Sequence, residues 1–211
     1  MVKIIAIDGP ASVGKSTLAK KLSKKFKSPI LFSGRLYRLI ALEIIKRKIN
    51  ASDTKEILKC VPFIDLNKLD SKELYSSEIS EMSSRISAKK QLRDKLITFQ
   101  RNFPKNNGKN CKFAIIEGRD IGTVIFPNAD YKIFLWAEAN IRAKRRYEQF
   151  KKNGGKADFL SVFNEINERD QKDMKRKIAP LMPAVNSVLL DTSYIDIEQA
   201  FNALNKIIFK K

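Results

Sequence analysis

The chain is expected to fold as an α/β domain, with a five-stranded parallel sheet covered by helices on both faces. Three observations lead there. Short apolar runs that fit strands alternate with stretches whose apolar residues recur every three or four positions, the period of an amphipathic helix. The runs are continuously apolar rather than alternating, as strands buried on both faces must be. The first run also leads directly into a Gly-rich loop that opens a helix. No internal repeat or low-complexity linker interrupts the pattern, so one domain over residues 1–211 is expected.

Taken in order, Ile4 to Ile7 reads as the first strand, followed by Asp8 and the loop Gly9-Pro10-Ala11-Ser12-Val13-Gly14-Lys15-Ser16-Thr17. The loop satisfies Gly-x-x-x-x-Gly-Lys-Ser/Thr, and the spacing has a chemical reason. Successive backbone N–H groups wrap a phosphate, and the helix N-terminus adds partial positive charge. Lys15 is placed to reach the β- and γ-phosphates and Ser16 to ligate Mg²⁺, while Gly9 and Gly14 allow a close backbone approach. A helix follows, with Leu18, Leu22 and Phe26 on one side. Pro29 to Phe32 reads as the second strand, and a helix starts near Arg35 with Leu36, Leu39, Ile40 and Ile44 as its stripe. Ser52-Asp53 caps a short helix ending near Cys60. Val61 to Ile64 reads as a further strand, and Asn67 to Ser80 is polar without a clear period, assigned to a small lobe outside the sheet.

The helical period returns from Lys89 to Phe103 through Leu92, Leu96 and Phe99, with Pro104 and Asn106-Asn107-Gly108 as its terminators. Lys112 to Ile116 is the third sheet strand and Tyr131 to Leu135 the fourth. Two charged helices, about 138–152 and 157–174, are separated by Asn153-Gly154-Gly155, and the second carries Phe159, Val162, Phe163 and Ile166 on one face. Ser187 to Leu190 is the fifth strand. Asp196 caps a last helix whose Ile197, Phe201, Leu204 and Ile208 face the sheet.

Composition narrows the function. Hydrophobic content of 43% and charged content of 31% are globular values. The absence of histidine excludes a Ser-His-Asp triad and imidazole metal sites. Cys60 and Cys111 form no CxxC pair, which favours ordinary thiols in a reducing cytoplasm over a disulfide or zinc site. No apolar run is long enough to span a membrane and residues 1–7 lack a signal peptide's layout, so a cytoplasmic protein is expected. The formal charge of +19 permits a nucleic-acid partner. Its lysines, however, are spread along helices (Lys20, Lys21, Lys24, Lys25, Lys151, Lys152) as on a solvated face. A nucleic-acid partner is therefore not expected.

Ligands of open α/β sheets sit outside the carboxyl ends of the strands. Here those ends carry the phosphate loop, then Ser33-Gly34-Arg35-Leu36-Tyr37-Arg38, then Glu117-Gly118-Arg119-Asp120. Arg142, Arg145, Arg146, Arg169, Asp173 and Arg176 follow the fourth strand. Arginine forks around one mouth suit phosphoryl transfer, where charge spreads over the equatorial oxygens of the transferred group. Blander readings stand beside these. Arg142, Arg145 and Arg146 also fit a plain basic face, Asp173 and Arg176 a helix-surface ion pair, and Gly118 and Gly122 a simple turn.

Together these pieces resemble the bacterial cytidylate kinases, of the nucleoside-monophosphate kinase group. The matching segments are Ile7-Asp8-Gly9-Pro10-Ala11 to Thr17, Ser33-Gly34 with Tyr37-Arg38, and Gly118-Arg119-Asp120-Ile121-Gly122-Thr123-Val124. Arg169-Asp170 with Asp173, Arg176 and Ala179-Pro180-Leu181 complete the set, in the family's order and over nearly the whole chain. Phe32 departs from it, standing where relatives often carry an acidic residue. The resemblance implies an adenylate-kinase-like P-loop fold, with a core, a monophosphate-binding lobe at about 35–105 and a lid at about 145–180. It implies transfer of the γ-phosphate of ATP, with Mg²⁺, to CMP or dCMP. A monomer is expected. By position Ser33, Arg38, Ser84, Arg93, Arg119, Asp120, Asp173 and Arg176 look like the CMP-site residues, with Ser83 and Ser87 as alternatives to Ser84. Lys15, Arg119 and Arg169 look like the charge-stabilising catalytic set, Arg142, Arg145 and Arg146 like basic lid residues, and Glu117 like a ligand to the metal's water shell. UMP or another small acceptor is the alternative substrate.

Overall fold

A computed structural model describes residues 2–152, 154 and 158–209. Five strands, β1 (Lys3–Asp8), β2 (Ile30–Phe32), β3 (Phe113–Glu117), β4 (Tyr131–Trp136) and β5 (Val188–Asp191), form one sheet in the order β2-β3-β1-β4-β5. The ladders of β1 with β3, β1 with β4 and β4 with β5 are all parallel. Every residue of β3 is buried, as are Ile5 to Asp8 of β1, which explains their unbroken apolar character. The register sets Ile7 opposite Glu117 and Asp8 opposite Phe134, so the carboxyl ends of three strands converge where the chain leaves β1. Because β1 has a neighbour from later in the chain on each side, this is the sheet's switch point, where the crevice opens.

Eight α-helices accompany the strands among the described residues: α1 (Lys15–Phe26), α2 (Ser33–Lys46), α3 (Thr54–Cys60), α4 (Ser77–Ile86), α5 (Lys90–Asn107), α6 (Ala139–Lys152), α7 (Phe159–Lys175) and α8 (Ile197–Phe209). The chain divides into two compact units, Met1–Leu31 with Pro104–Lys211, and Phe32–Phe103. In the first unit Leu18 and Leu22 of α1 and Leu204 and Ile208 of α8 are buried, as their spacing requires. Each fully buried side chain of this kind contributes about 1.5–3 kcal/mol from loss of contact with water. Val162 and Ile166 of α7 pack with Ala143 of α6, while Phe159, expected on the same face, is 41% exposed. In the second unit the stripe Leu36, Leu39, Ile40 and Ile44 is buried throughout.

Two readings need correction and a third gains detail. Val61–Phe63 is a turn of 3₁₀ helix rather than a strand: Pro62 brings no N–H for a ladder but fits an early helical position. The unperiodic stretch after it holds two more 3₁₀ turns, Leu66–Asp70 and Lys72–Tyr75, and then α4, capped by Ser76 Oγ accepting from Ile79 N. Pro104 does not end α5, which continues to Asn107 before Gly108 N closes on Pro104 O at 2.8 Å. The helix is long enough to absorb the single backbone bond that proline removes. Asn153 and Gly155, read as the break between the charged helices, lie outside the described residues, as do residues 156 and 157. No helix among the described residues is long and apolar enough to cross a membrane.

Candidate active site

The phosphate loop leaves β1 at Gly9, whose φ of 146° and setting both demand glycine. A Cβ there would lie 2.3 Å from the Leu135 carbonyl oxygen of the neighbouring strand. Ser12 at φ 59° and Gly14 at φ 96° turn the backbone left-handed twice within three residues, which makes a concave run of amides leading into α1. Pro10 carries no N–H, and its carbonyl accepts from Lys15 Nζ at 2.6 Å. Ala11, expected to contact phosphate, instead has both backbone polar atoms committed to protein. Its N–H donates to Asp170 Oδ1 at 3.3 Å and its carbonyl accepts from Arg142 Nη1 at 3.1 Å.

The strand register brings Glu117 beside this loop. Ser16 Oγ donates to Glu117 Oε2 at 3.0 Å, and Lys15 Nζ lies 4.0 Å from Glu117 Oε1. Lys15 is buried, and its pKa falls well below the usual lysine range: burial is the main cause, and the nearby charges of Arg119 and Arg169 add to it against the pull of Glu117. An anion in the loop would relieve that strain.

Beyond β3 the run Gly118 to Thr123 is pinned from below. Asp8, at the end of β1, accepts from Ile121 N at 2.8 Å and Gly122 N at 2.7 Å, while Gly118 N donates to Ile7 O at 2.9 Å. Burial pushes the Asp8 carboxyl from its ordinary 3.8 up to about 7; the two N–H donors resist this and the charge of Asp120 adds to it. The turn so held presents Arg119 and Asp120. Arg119 Nε donates to Asp173 Oδ2 at 3.0 Å, Arg176 Nη1 lies 3.5 Å from Asp173 Oδ1, and Arg176 Nη2 lies 3.7 Å from Asp120 Oδ1. Desolvation would raise the Asp173 carboxyl, but the charges of Arg119, Arg169 and Arg176 outweigh it and hold the group below the usual carboxylate range. Asp173 and Arg176 are therefore part of a buried network, not the surface pair their spacing also allowed.

Of the three arginines expected on a lid, Arg142 is a buried strut between the loop and α7, with Asp170 as its ion-pair partner. Arg145 bonds the Thr192 carbonyl and approaches its hydroxyl at 3.3 Å, and Arg146 sits 5.0 Å from the Phe150 ring. Nor do they form a plain basic face, since Arg142 is only 5% exposed.

In the second unit, Ser33 opens α2 and is buried. Arg38 donates to the Leu74 carbonyl and to Ser80 Oγ at 2.9 Å beside the Tyr75 ring. Arg93 donates to Ser87 O at 2.9 Å beside the Tyr37 ring. The hydroxyls of Ser83 and Ser87 are bonded to the carbonyls of Ser80 and Ser84, whereas Ser84 itself is half-buried. Sequence reasoning assigned no role to Arg35, which is buried against the Phe32 ring and holds the Leu69 carbonyl and Asp70. Phe32, noted above as a departure from the family pattern, serves as its stacking surface. Asp8, Asp170 and Thr192 were also passed over. Asp8 and Asp170 lay inside matched motifs and could have been singled out as carboxylates bracketed by buried or functional positions, but nothing marked Thr192.

Comparison with known proteins shows the family. A family model described as cytidylate kinase matches residues 5–210. A cytidylate kinase of Fusobacterium nucleatum is 41% identical over 217 aligned residues, covering 98% of this chain and 97% of that protein. One from Bartonella tribocorum is 38% identical, covering 94% and 90%. Among solved structures, an uncharacterized protein from Eubacterium ventriosum superposes over the whole chain with a TM-score of 0.57 at 16% identity, and a Thermus thermophilus protein over 98% with a TM-score of 0.51 at 16% identity. Both share the fold. With a phosphate loop, a buried arginine–carboxylate network and the full-length match all in one chain, the protein belongs to the cytidylate kinase family.

Proposed function

We propose that this chain transfers the γ-phosphate of ATP to CMP or dCMP, giving ADP and CDP or dCDP. The observation that carries the reading is the buried network of Arg119, Asp173, Arg176 and Asp120, whose Arg119 charge also acts on Lys15 in the phosphate loop. Phosphoryl transfer is mostly positioning and charge stabilisation, and the acceptor phosphate oxygen is already an ionised nucleophile. A proton-abstracting histidine is not needed, and the sequence has none. Lys15 and the N–H groups of Ser12 to Ser16 would hold the ATP phosphates. Arg119, Arg169 and Arg176 would neutralise charge on the transferred and accepting groups. The three carboxylates Asp8, Asp120 and Asp173 hold that machinery in place while it waits for its anions.

Asp120 would accept from the cytosine N4 amino group. Within the second unit, Ser33, Arg38, Ser84 and Arg93 are the candidate monophosphate contacts, Ser84 being preferred because the hydroxyls of Ser83 and Ser87 are already bonded to backbone. Ser16 Oγ and Glu117 Oε2, 3.0 Å apart, are hard oxygen donors of the kind Mg²⁺ takes, one carboxylate and substrate phosphates being its usual complement. When bound, that ion offsets phosphate charge. Closing of the lid at about 145–180 over both nucleotides would exclude water from the transfer. Amide exchange in this segment should then slow when ATP and CMP are present together, and unchanged exchange would count against closure. The direct test of the reading is ADP formation from ATP with CMP as acceptor, cut by orders of magnitude in Lys15→Ala.

A further inference from the structure

The phosphate loop is gripped from outside by residues that come from three separate elements. Arg142 on α6 and Asp170 on α7 form an ion pair with side-chain exposures of 6% and 8%. Between them they take both polar atoms of Ala11: Arg142 Nη1 donates to its carbonyl at 3.1 Å and Asp170 Oδ1 accepts from its N–H at 3.3 Å. Arg142 Nε is anchored on Ala137 O at 2.8 Å, where the chain leaves β4. Just past β5, Thr192 Oγ1 lies 3.2 Å from Val13 O and the same distance from Trp136 O, and its N–H donates to Trp136 O at 2.8 Å.

These contacts determine which way the loop amides point, because a trans peptide is planar and its C=O and N–H face opposite sides. The Pro10–Ala11 peptide has its carbonyl on Lys15 and its N–H on Asp170. The Ala11–Ser12 peptide is reversed, with its carbonyl on Arg142 and the Ser12 N–H directed the other way. The Val13–Gly14 peptide repeats that sense, its carbonyl on Thr192 and the Gly14 N–H opposite. We propose that Arg142, Asp170 and Thr192 are positioning residues that set these peptide planes, so that the Ser12 and Gly14 N–H groups face the bound polyphosphate. The proposal rests on the reading that ATP occupies this loop. It places nucleotide affinity under the control of side chains that never touch the nucleotide.

The test is ATP binding by titration calorimetry in the absence of CMP, with steady-state kinetics alongside, on Thr192→Val, Asp170→Asn and Arg142→Lys. Thr192→Val keeps the shape and removes the hydroxyl, so it serves if either charge variant folds poorly. ATP affinity and the KM for ATP should worsen together, by about 10-fold or more for the Asp170 and Arg142 variants and about threefold for Thr192→Val, while the KM for CMP stays within about twofold. Arg142→Lys, which keeps the charge and one donor, should lose less than Arg142→Met. Folded variants with wild-type ATP affinity would overturn the proposal, as would parallel losses for ATP and CMP, the mark of general destabilisation. A wild-type chain that fails to bind ATP would overturn the kinase reading itself, and this proposal with it.

Discussion

Lys15 is buried and flanked by like charge. Lys15→Ala should lower kcat by about 10³-fold or more, as loss of a preorganised charge does, with the melting temperature preserved. Asp120→Ala should raise the KM for CMP by at least about 10-fold and leave ATP binding within about twofold, because an unpaired base edge is what a specific site rejects. Equal losses on CMP and UMP would contradict a cytosine contact. Asp8 gives a prediction in pH. Its pKa is raised on folding from 3.8 to about 7, so the folded chain keeps a proton that the unfolded chain has released. That contribution to stability is complete below the unfolded value and lost as pH rises through the folded one. Between about pH 4 and 7 the wild type should therefore lose about 1.4 kcal/mol per pH unit relative to Asp8→Asn in denaturant melts. Parallel pH profiles would contradict the burial of the charge. Lys15 and Ser16 were legible because their chemistry is encoded in local spacing. The roles of Asp8, Asp170 and Thr192 were not, since the backbone groups of Ile121, Ala11 and Val13 that they hold lie more than 100 residues away in sequence.

Among the elements, local signals held where nothing competed with them. Asp53 was legible as a cap and accepts from Glu56 N at 3.1 Å, so Asp53→Ala should cost about 1 kcal/mol, measured as a lower unfolding midpoint. Strands β1 and β3 were legible because parallel strands buried on both faces read as bare apolar runs, whereas β5 reads the same way although Leu189 is exposed. Val61 to Ile64 failed the same test. Four apolar residues with a proline look alike as strand and as helical turn, and the choice belongs to neighbours the pattern does not contain. Pro104 misled in the opposite sense: a breaker marks where a helix weakens, while the packing of Leu92 and Leu96 lets α5 run on. The polar stretch after Cys60 had no period to find, because short 3₁₀ turns are held by Arg35 and Arg38 gripping their carbonyls rather than by an apolar stripe of their own.

For the whole molecule, the charge of +19 is the feature most easily over-read. Arg35, Arg38, Arg93 and Arg142 are buried and engaged with protein groups, and so are not part of a phosphate-backbone footprint. Fluorescence anisotropy at physiological salt should accordingly show no binding to single- or double-stranded RNA. The central claim concerns the acceptor. ADP formation from ATP and Mg²⁺ should be measured with CMP, dCMP, UMP, AMP and GMP offered separately. CMP and dCMP should be turned over with a kcat/KM at least about 10-fold above the other three. A preference for UMP or AMP would contradict the base-reading role of Asp120, and no turnover with any of the five would contradict the kinase.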